Sequence, residues 1–254
     1  MGWLRRLLGR EQAWVERWAV YPGEVGGRLA MYNIDLGAVE AAPVARFPQR
    51  YDVEFAYTGD GASGMPAADE LSSIHALDAA VRQVLRSAGG ALVGRRLSDR
   101  AGRITGYLPA EATPPPLPQV DGLAPTVAVA SDPGWTRVRE ELTPDAWQRN
   151  IMDDNQVVQE LEAHGDRLNL PRAVEFLAYF PDPDRAEASA QDLRGDGFAV
   201  TVERGDEGDF VLQAIRRDSV EPPAVHEVTW KVRGIVEGHD GIYDGWGCMV
   251  QTGA

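Results

Sequence analysis

From residue 150 onward the apolar residues of this chain alternate between helical and extended spacing, and most changes fall on glycine or proline, the residues that break regular structure. Val157, Val158 and Leu161 share a helical face behind the capping candidates Asp153 and Asp154, and Gly165 closes that helix. Arg172 to Phe180 reads as a strand that stops at Pro181. Asp182 followed by Pro183 is a cap and first-turn pair: the aspartate oxygen accepts an otherwise unpaired amide, and proline has no amide to leave unpaired. The helix they start runs through Leu193 and ends at Gly195 and Gly197. Phe198, Val200 and Val202 alternate up to an acidic turn over Gly205 to Asp209, and Phe210 to Ile215 returns to complete a hairpin. Pro222-Pro223 launches a stripe of Val225, Val228, Val232, Ile235 and Val236, closed by Gly238, before a final strand from Trp246 to Gln251. A leading helix followed by strand, helix, strand, strand, helix, strand predicts a ferredoxin-like sandwich, an antiparallel sheet with helices on one face.

The first half is also mixed. Trp14 to Tyr21, Arg28 to Asp35 and Tyr51 to Thr58 read as strands, and Leu71, Ile74, Leu77, Val81, Val84 and Leu85 form a helical stripe that stops at Gly89-Gly90. Ala91 to Leu97 and Arg103 to Leu108 flank a hairpin turn at Asp99 to Gly102. Six prolines between Pro109 and Pro125 leave a loop with at most a short helix near Leu117 to Leu123, and Thr126 to Ala130 is the last strand. From Tyr51 the succession echoes that of the second half, so the same sandwich is open to it. A chain of 254 residues is long enough for two such domains. The expected fold is α+β, with domains over residues 1–145 and 150–254 and a boundary between 143 and 152, near Thr143-Pro144-Asp145.

Charge divides the chain in the same place. Residues 1–149 hold 16 Lys+Arg against 18 Asp+Glu, whereas residues 150–254 hold 9 against 21. Nucleic acid repels such a second half, because binding it requires a basic surface that displaces counterions. A basic protein segment is attracted to it. No apolar run reaches the roughly 20 residues of a membrane span, and Trp3-Leu4-Arg5-Arg6-Leu7-Leu8 is too short and too charged for a signal peptide, so a cytoplasmic protein is expected. The single cysteine, Cys248, has no partner for an internal disulfide and fits the final strand as a small apolar residue.

Motifs for chemistry are sparse. Gly59-Asp60-Gly61-Ala62-Ser63-Gly64 matches a dinucleotide-binding fingerprint, which keeps a nucleotide- or small-molecule-binding enzyme as an alternative. Its context is wrong: Asp52 and Glu54 occupy the preceding strand and Pro66 delays the helix, so a surface loop is the better reading. His226 and His239 bracket one predicted helix, roughly 20 Å apart at 1.5 Å per residue, too far to share a metal. Both read as solvated helix-end residues, and neither cofactor nor metal is expected. The informative motif is Gly241-Ile242-Tyr243-Asp244-Gly245-Trp246-Gly247, which sets two aromatic surfaces where the chain turns from the last helix into the last strand.

Asn155 to Gln251 resembles the bacterial B-type regulators of ribonuclease E activity. The likeness rests on Val157-Val158-Gln159-Glu160-Leu161-Glu162-Ala163-His164-Gly165-Asp166, on the Arg172 to Phe180 strand with Glu175, on Gly197-Phe198 and on Tyr243-Asp244-Gly245-Trp246-Gly247. It implies an acidic ferredoxin-like protein inhibitor that binds the endoribonuclease and is not itself an enzyme, with Glu175, Tyr243, Asp244, Gly245 and Trp246 as partner-binding residues. Residues 1 to about 145 resemble an uncharacterised bacterial domain family found fused ahead of such inhibitors, carried by Asp132-Pro133-Gly134-Trp135 and Leu142-Thr143-Pro144. The expected partner is a basic protein segment, with neither nucleic acid nor membrane bound directly. A scaffold or immunity-like partner of an unrelated protein would share these features.

Overall fold

The computed structural model describes residues 14–61, 63–205 and 208–252. The Trp3 to Leu8 segment, Ala62 of the glycine loop and Asp206-Glu207 of the acidic turn lie outside the described residues. The fold is α+β, and the chain divides into two compact units, Met1–Asp145 and Ala146–Ala254.

In the first unit β1 (Trp18–Val25), β2 (Arg28–Asp35), α1 (Leu36–Ala41), β3 (Gln49–Ala56), α2 (Leu71–Ser87), β4 (Ala91–Ser98), β5 (Ala101–Leu108) and β6 (Thr126–Ser131) follow in order. They build an antiparallel sheet of order β1-β2-β4-β5-β3-β6. Its β6-β3-β5-β4 portion has the ferredoxin-like strand order, and the β1–β2 hairpin extends it past β4. The short helix expected near Leu117 to Leu123 is not there: the proline-rich segment stays irregular, and Leu117, Val120 and Leu123 pack on the core from a loop. Proline removes the amides a helix would need. The first strand starts at Trp18 rather than Trp14, and the β4–β5 turn is only Asp99-Arg100, both at positive φ as a two-residue hairpin turn requires.

The helix α2 buries Ile74, Leu77, Val81, Val84 and Leu85 against Tyr51, Val53 and Phe55 on one sheet face. Trp135 packs on the other, stacked on Tyr107 at 4.1 Å with its indole N–H donating to the Phe47 carbonyl at 2.8 Å. A π-helical turn over Val138–Leu142 follows it.

The second unit holds α3 (Ala146–Ala163), β7 (Arg172–Phe180), α4 (Pro183–Gly195), β8 (Ala199–Arg204), β9 (Phe210–Asp218), α5 (Ala224–Gly238) and β10 (Ile242–Cys248). The antiparallel order β10-β7-β9-β8, with α4 and α5 packed together on one face, is the ferredoxin-like sandwich. Val174, Phe176, Ala178 and Phe180 of β7 meet the helices; Glu175 and Leu177 point to the open face. Asp182 caps α4 by accepting the Arg185 amide at 3.0 Å. The leading helix differs from expectation: α3 starts at Ala146, so Asp153 and Asp154 lie within it and do not cap it. It packs on α5, with Trp147 edge-on to Trp230 at 5.4 Å. Among the described residues no helix is long and apolar enough to cross a membrane.

Candidate functional site

The last strand starts at Ile242, not at Trp246, so Tyr243 to Trp246 belong to the sheet rather than to the turn before it. The turn is His239-Asp240, with Asp240 at φ 56°. Asp244 forms a bulge: Tyr243 pairs with Ala178 and Gly245 with Leu177, leaving Asp244 unpaired. Residues three apart on a regular strand face opposite sides of the sheet. The extra residue brings Tyr243 and Trp246 onto the same side, against the helices, while Gly245 and Gly247 fall beside Leu177 and Glu175 on the open face. Gly245, at φ 125°, holds a conformation that residues with a Cβ avoid.

Trp246 is fixed by a buried carboxylate. Its indole N–H donates to Asp154 Oδ1 at 2.9 Å, while Asp154 Oδ2 accepts from Thr229 Oγ1 (2.6 Å), Asn150 Nδ2 (3.0 Å) and His226 Nδ1 (3.0 Å). A carboxylate has no proton to give, so Nδ1 carries the imidazole hydrogen. His226 is buried and therefore not the solvated helix-end residue expected of it; His239, at the other end of α5, bonds Asp192 at 2.8 Å. Asn150 and Asp154 are one turn apart on α3, and His226, Thr229 and Arg233 share a face of α5. Arg233 completes the cluster: its Nε donates to Asn150 Oδ1 at 2.9 Å, one Nη to Asp153 at 3.1 Å, and its guanidinium lies 4.8 Å from the centre of the Tyr243 ring. Among the described residues the buried Tyr243 hydroxyl has no hydrogen-bond partner, and burial together with the neighbouring Asp154 carboxylate pushes its pKa far above the usual phenol value.

Two concavities meet at this strand. One of about 290 Å³ on the helix side is lined by Asp153, Asp154, Arg233 and Tyr243 through Trp246. The other, about 410 Å³ on the open face, is lined by Glu175, Leu177, Gln213 and Asp244 through Gly247. The five residues singled out in the sequence thus gather around one strand, Glu175 facing Gly247 across the β7–β10 ladder. Nothing in the sequence singles out Asn150, Thr229 or Arg233, and Asp154 and His226 stand there only as a capping candidate and a solvated helix end, although Asp154 falls in phase with Ile151, Val158 and Leu161, where an apolar residue belongs.

The glycine loop of the first unit is tied at its start by a carboxylate of the same unit. Glu70 accepts the amides of Thr58 (2.5 Å), Gly59 (2.9 Å) and Ala67 (2.9 Å), and these bonds, that of Ala67 foremost, hold its carboxyl below the usual range. Of the motif's own amides, that of Gly59 is thus taken by an internal anion and that of Ser63 by Asp60 Oδ1 at 3.3 Å. Among the described residues no three His, Cys, Asp or Glu are grouped to hold a metal ion. Cys248 packs half-buried against the core, and burial raises its thiol pKa.

Residues 151–248 match the family model described as Regulator of ribonuclease activity B. The matched span runs from α3 to the end of β10, so it takes in Trp246 and, Asn150 apart, every side chain that fixes it. Residues 16–109 match the model of a family of unknown function (DUF695), a span that covers β1 through β5. The chain therefore has the two-part composition its resemblances imply. No match was found among the curated proteins.

Proposed function

We propose that residues 146–254 are a protein-binding regulator of ribonuclease activity that docks a basic segment of a ribonuclease E-type endoribonuclease. It acts in the cytoplasm by occupancy, restricting access of RNA to the enzyme, with no catalysis of its own. The match of residues 151–248 carries this reading. Charge supports it: 21 acidic against 9 basic residues between 150 and 254 draw a cationic polypeptide and repel RNA.

In this reading the partner docks around β10. Glu175 on the open face and Asp153 and Asp244 at the rim offer carboxylates, and Trp246 between the two concavities supplies a rigid aromatic anchor of the kind that dominates interface energies. Asp154 has a different part: its oxygens are taken by four internal donors, so it positions Trp246 and does not meet the partner. Gly245 and Gly247 leave the open face beside Glu175 free of side chains, so an extended segment can approach the backbone there.

The test is RNA cleavage by a purified ribonuclease E-type enzyme with increasing amounts of the full-length chain. The rate should fall to a plateau, and an enzyme lacking its basic segments should be indifferent. Equal inhibition of both enzymes, or of neither, contradicts the proposal.

A further inference from the structure

The sheet of the first unit carries a second kind of site. Arg96 of β4 and Arg103 of β5 are direct partners across the ladder, an arrangement that like charges make unfavourable. Compensation is thin. Glu141 serves three guanidiniums, with Oε1 bound to Arg137 and Oε2 standing 3.0 Å from Arg103 and 3.5 Å from Arg96. Glu54 pairs with Arg103 at 2.7 Å and leaves Arg96 aside. Among the described residues the long contact to Glu141 is the one ion pair of Arg96, and its Nε is buried with no acceptor. A guanidinium held this way, with a like charge opposite and a buried donor unpaired, adds little to the stability of the sheet.

Both arginines line a cavity of about 360 Å³, at the lower end of the size range of small-molecule sites. Thr126 adds a hydroxyl, while Ala56, Ala101 and Ala124 leave room for the body of a ligand. Glu54 lines the cavity too and occupies Arg103, which makes Arg96 the primary contact. We propose that this cavity binds an oxyanion, a phosphate or carboxylate carried by a small molecule, with Arg96 as the residue that holds it. The planar fork of guanidinium donors matches the geometry of such an anion, and the ligand charge relieves the repulsion between the facing arginines. The site lies in the unit to which the ribonuclease reading assigns nothing, so the two stand or fall separately.

The test titrates the full-length chain with inorganic phosphate and, separately, with acetate, each against chloride at matched ionic strength. Melting temperature and backbone amide shifts are followed together. At least one oxyanion should raise the melting temperature saturably and move the amides of Ala101 and Thr126. Phosphate alone acting marks a phosphate ester as the ligand class; acetate alone marks a carboxylate. Arg96→Gln should abolish the response, and Arg28→Gln, at the β1–β2 turn, should keep it. The proposal is overturned if neither oxyanion exceeds chloride, if Arg96→Gln responds like the unsubstituted chain, or if the shifted amides of the unsubstituted chain lie elsewhere. That last readout decides the matter even where Arg96→Gln fails to fold.

Discussion

Replacing Asp154 with alanine removes the acceptor shared by Asn150, Thr229, His226 and Trp246. Two of these donors have somewhere else to turn: Asn150 Nδ2 still reaches Thr229 Oγ1 at 2.8 Å, and Thr229 Oγ1 reaches the His226 carbonyl at 3.1 Å. The His226 imidazole, 6% exposed, and the Trp246 indole keep no second acceptor among the described residues. A buried donor left unpaired costs about 1–3 kcal/mol, and half-buried Trp246 counts at the low end because its N–H can turn to water, so the loss should be about 2–4 kcal/mol. At roughly 1.4 kcal/mol per tenfold, amides of α5 and β10 that open with this network should exchange about 30- to 1,000-fold faster. Hydrogen exchange read by mass spectrometry measures this, with β3 and β5 of the other unit as an internal reference. Exchange in α5 and β10 unchanged within about threefold, below the ~0.7 kcal/mol level, would refute the reasoning. So would an equal rise in the reference strands.

Arg172→Met should destabilise the second unit by about 3–5 kcal/mol in urea unfolding, because it strands the charge of a buried ion pair. Arg172 is bound to Asp166 with both side chains no more than 2% exposed, and it also donates to the carbonyls of Arg167 (2.6 Å) and Leu170 (3.1 Å). The double variant Arg172→Met with Asp166→Leu should recover part of that loss. Burial opposes the charge of Asp132, but the Tyr107 hydroxyl and the amides of Thr136 and Arg137 prevail and hold its carboxyl below the usual range. Its stabilisation is therefore present above the unfolded value near pH 4 and lost as pH falls through the lower folded value. In unfolding measured from about pH 6 to about pH 2, Asp132→Asn should flatten the acid limb of the first unit. Gly241→Ala should cost about 1–3 kcal/mol in melting experiments, since a Cβ there would stand only 2.4 to 2.9 Å from atoms of the Phe180 ring.

Where local chemistry and burial agree, the fold is legible in the residues alone. Asp182-Pro183 names the start of α4, and the helical spacing of Val225 to Val236 names α5. Two of the departures come from an aspartate that interrupts an apolar period. Asp154 interrupts the buried stripe of α3 and so passes for a cap, when it is the centre of a side-chain network drawn from α3, α5 and β10. Asp244 breaks the period of β10, so the alternation in the sequence starts only at Trp246; the bulge is what turns Tyr243 and Trp246 to one side. Leu117, Val120 and Leu123 mimic helical spacing, but proline denies them the amides and they serve the core as a loop. The Val138–Leu142 turn leaves no trace, because its i→i+5 bonds match neither period. Glu175 and Trp246 could be named from resemblance, yet their place around one strand needed the β10-β7 pairing.

The most direct test of the account is the dissociation constant of the full-length chain for a labelled basic segment of a ribonuclease E-type enzyme, measured at about 50 mM and about 300 mM salt. The account predicts binding at low salt, loosening by about tenfold or more at high salt, and a further loss of about 30-fold with Trp246→Ala, as for an aromatic anchor. No binding at low salt, or an affinity indifferent to both salt and Trp246→Ala, would contradict it.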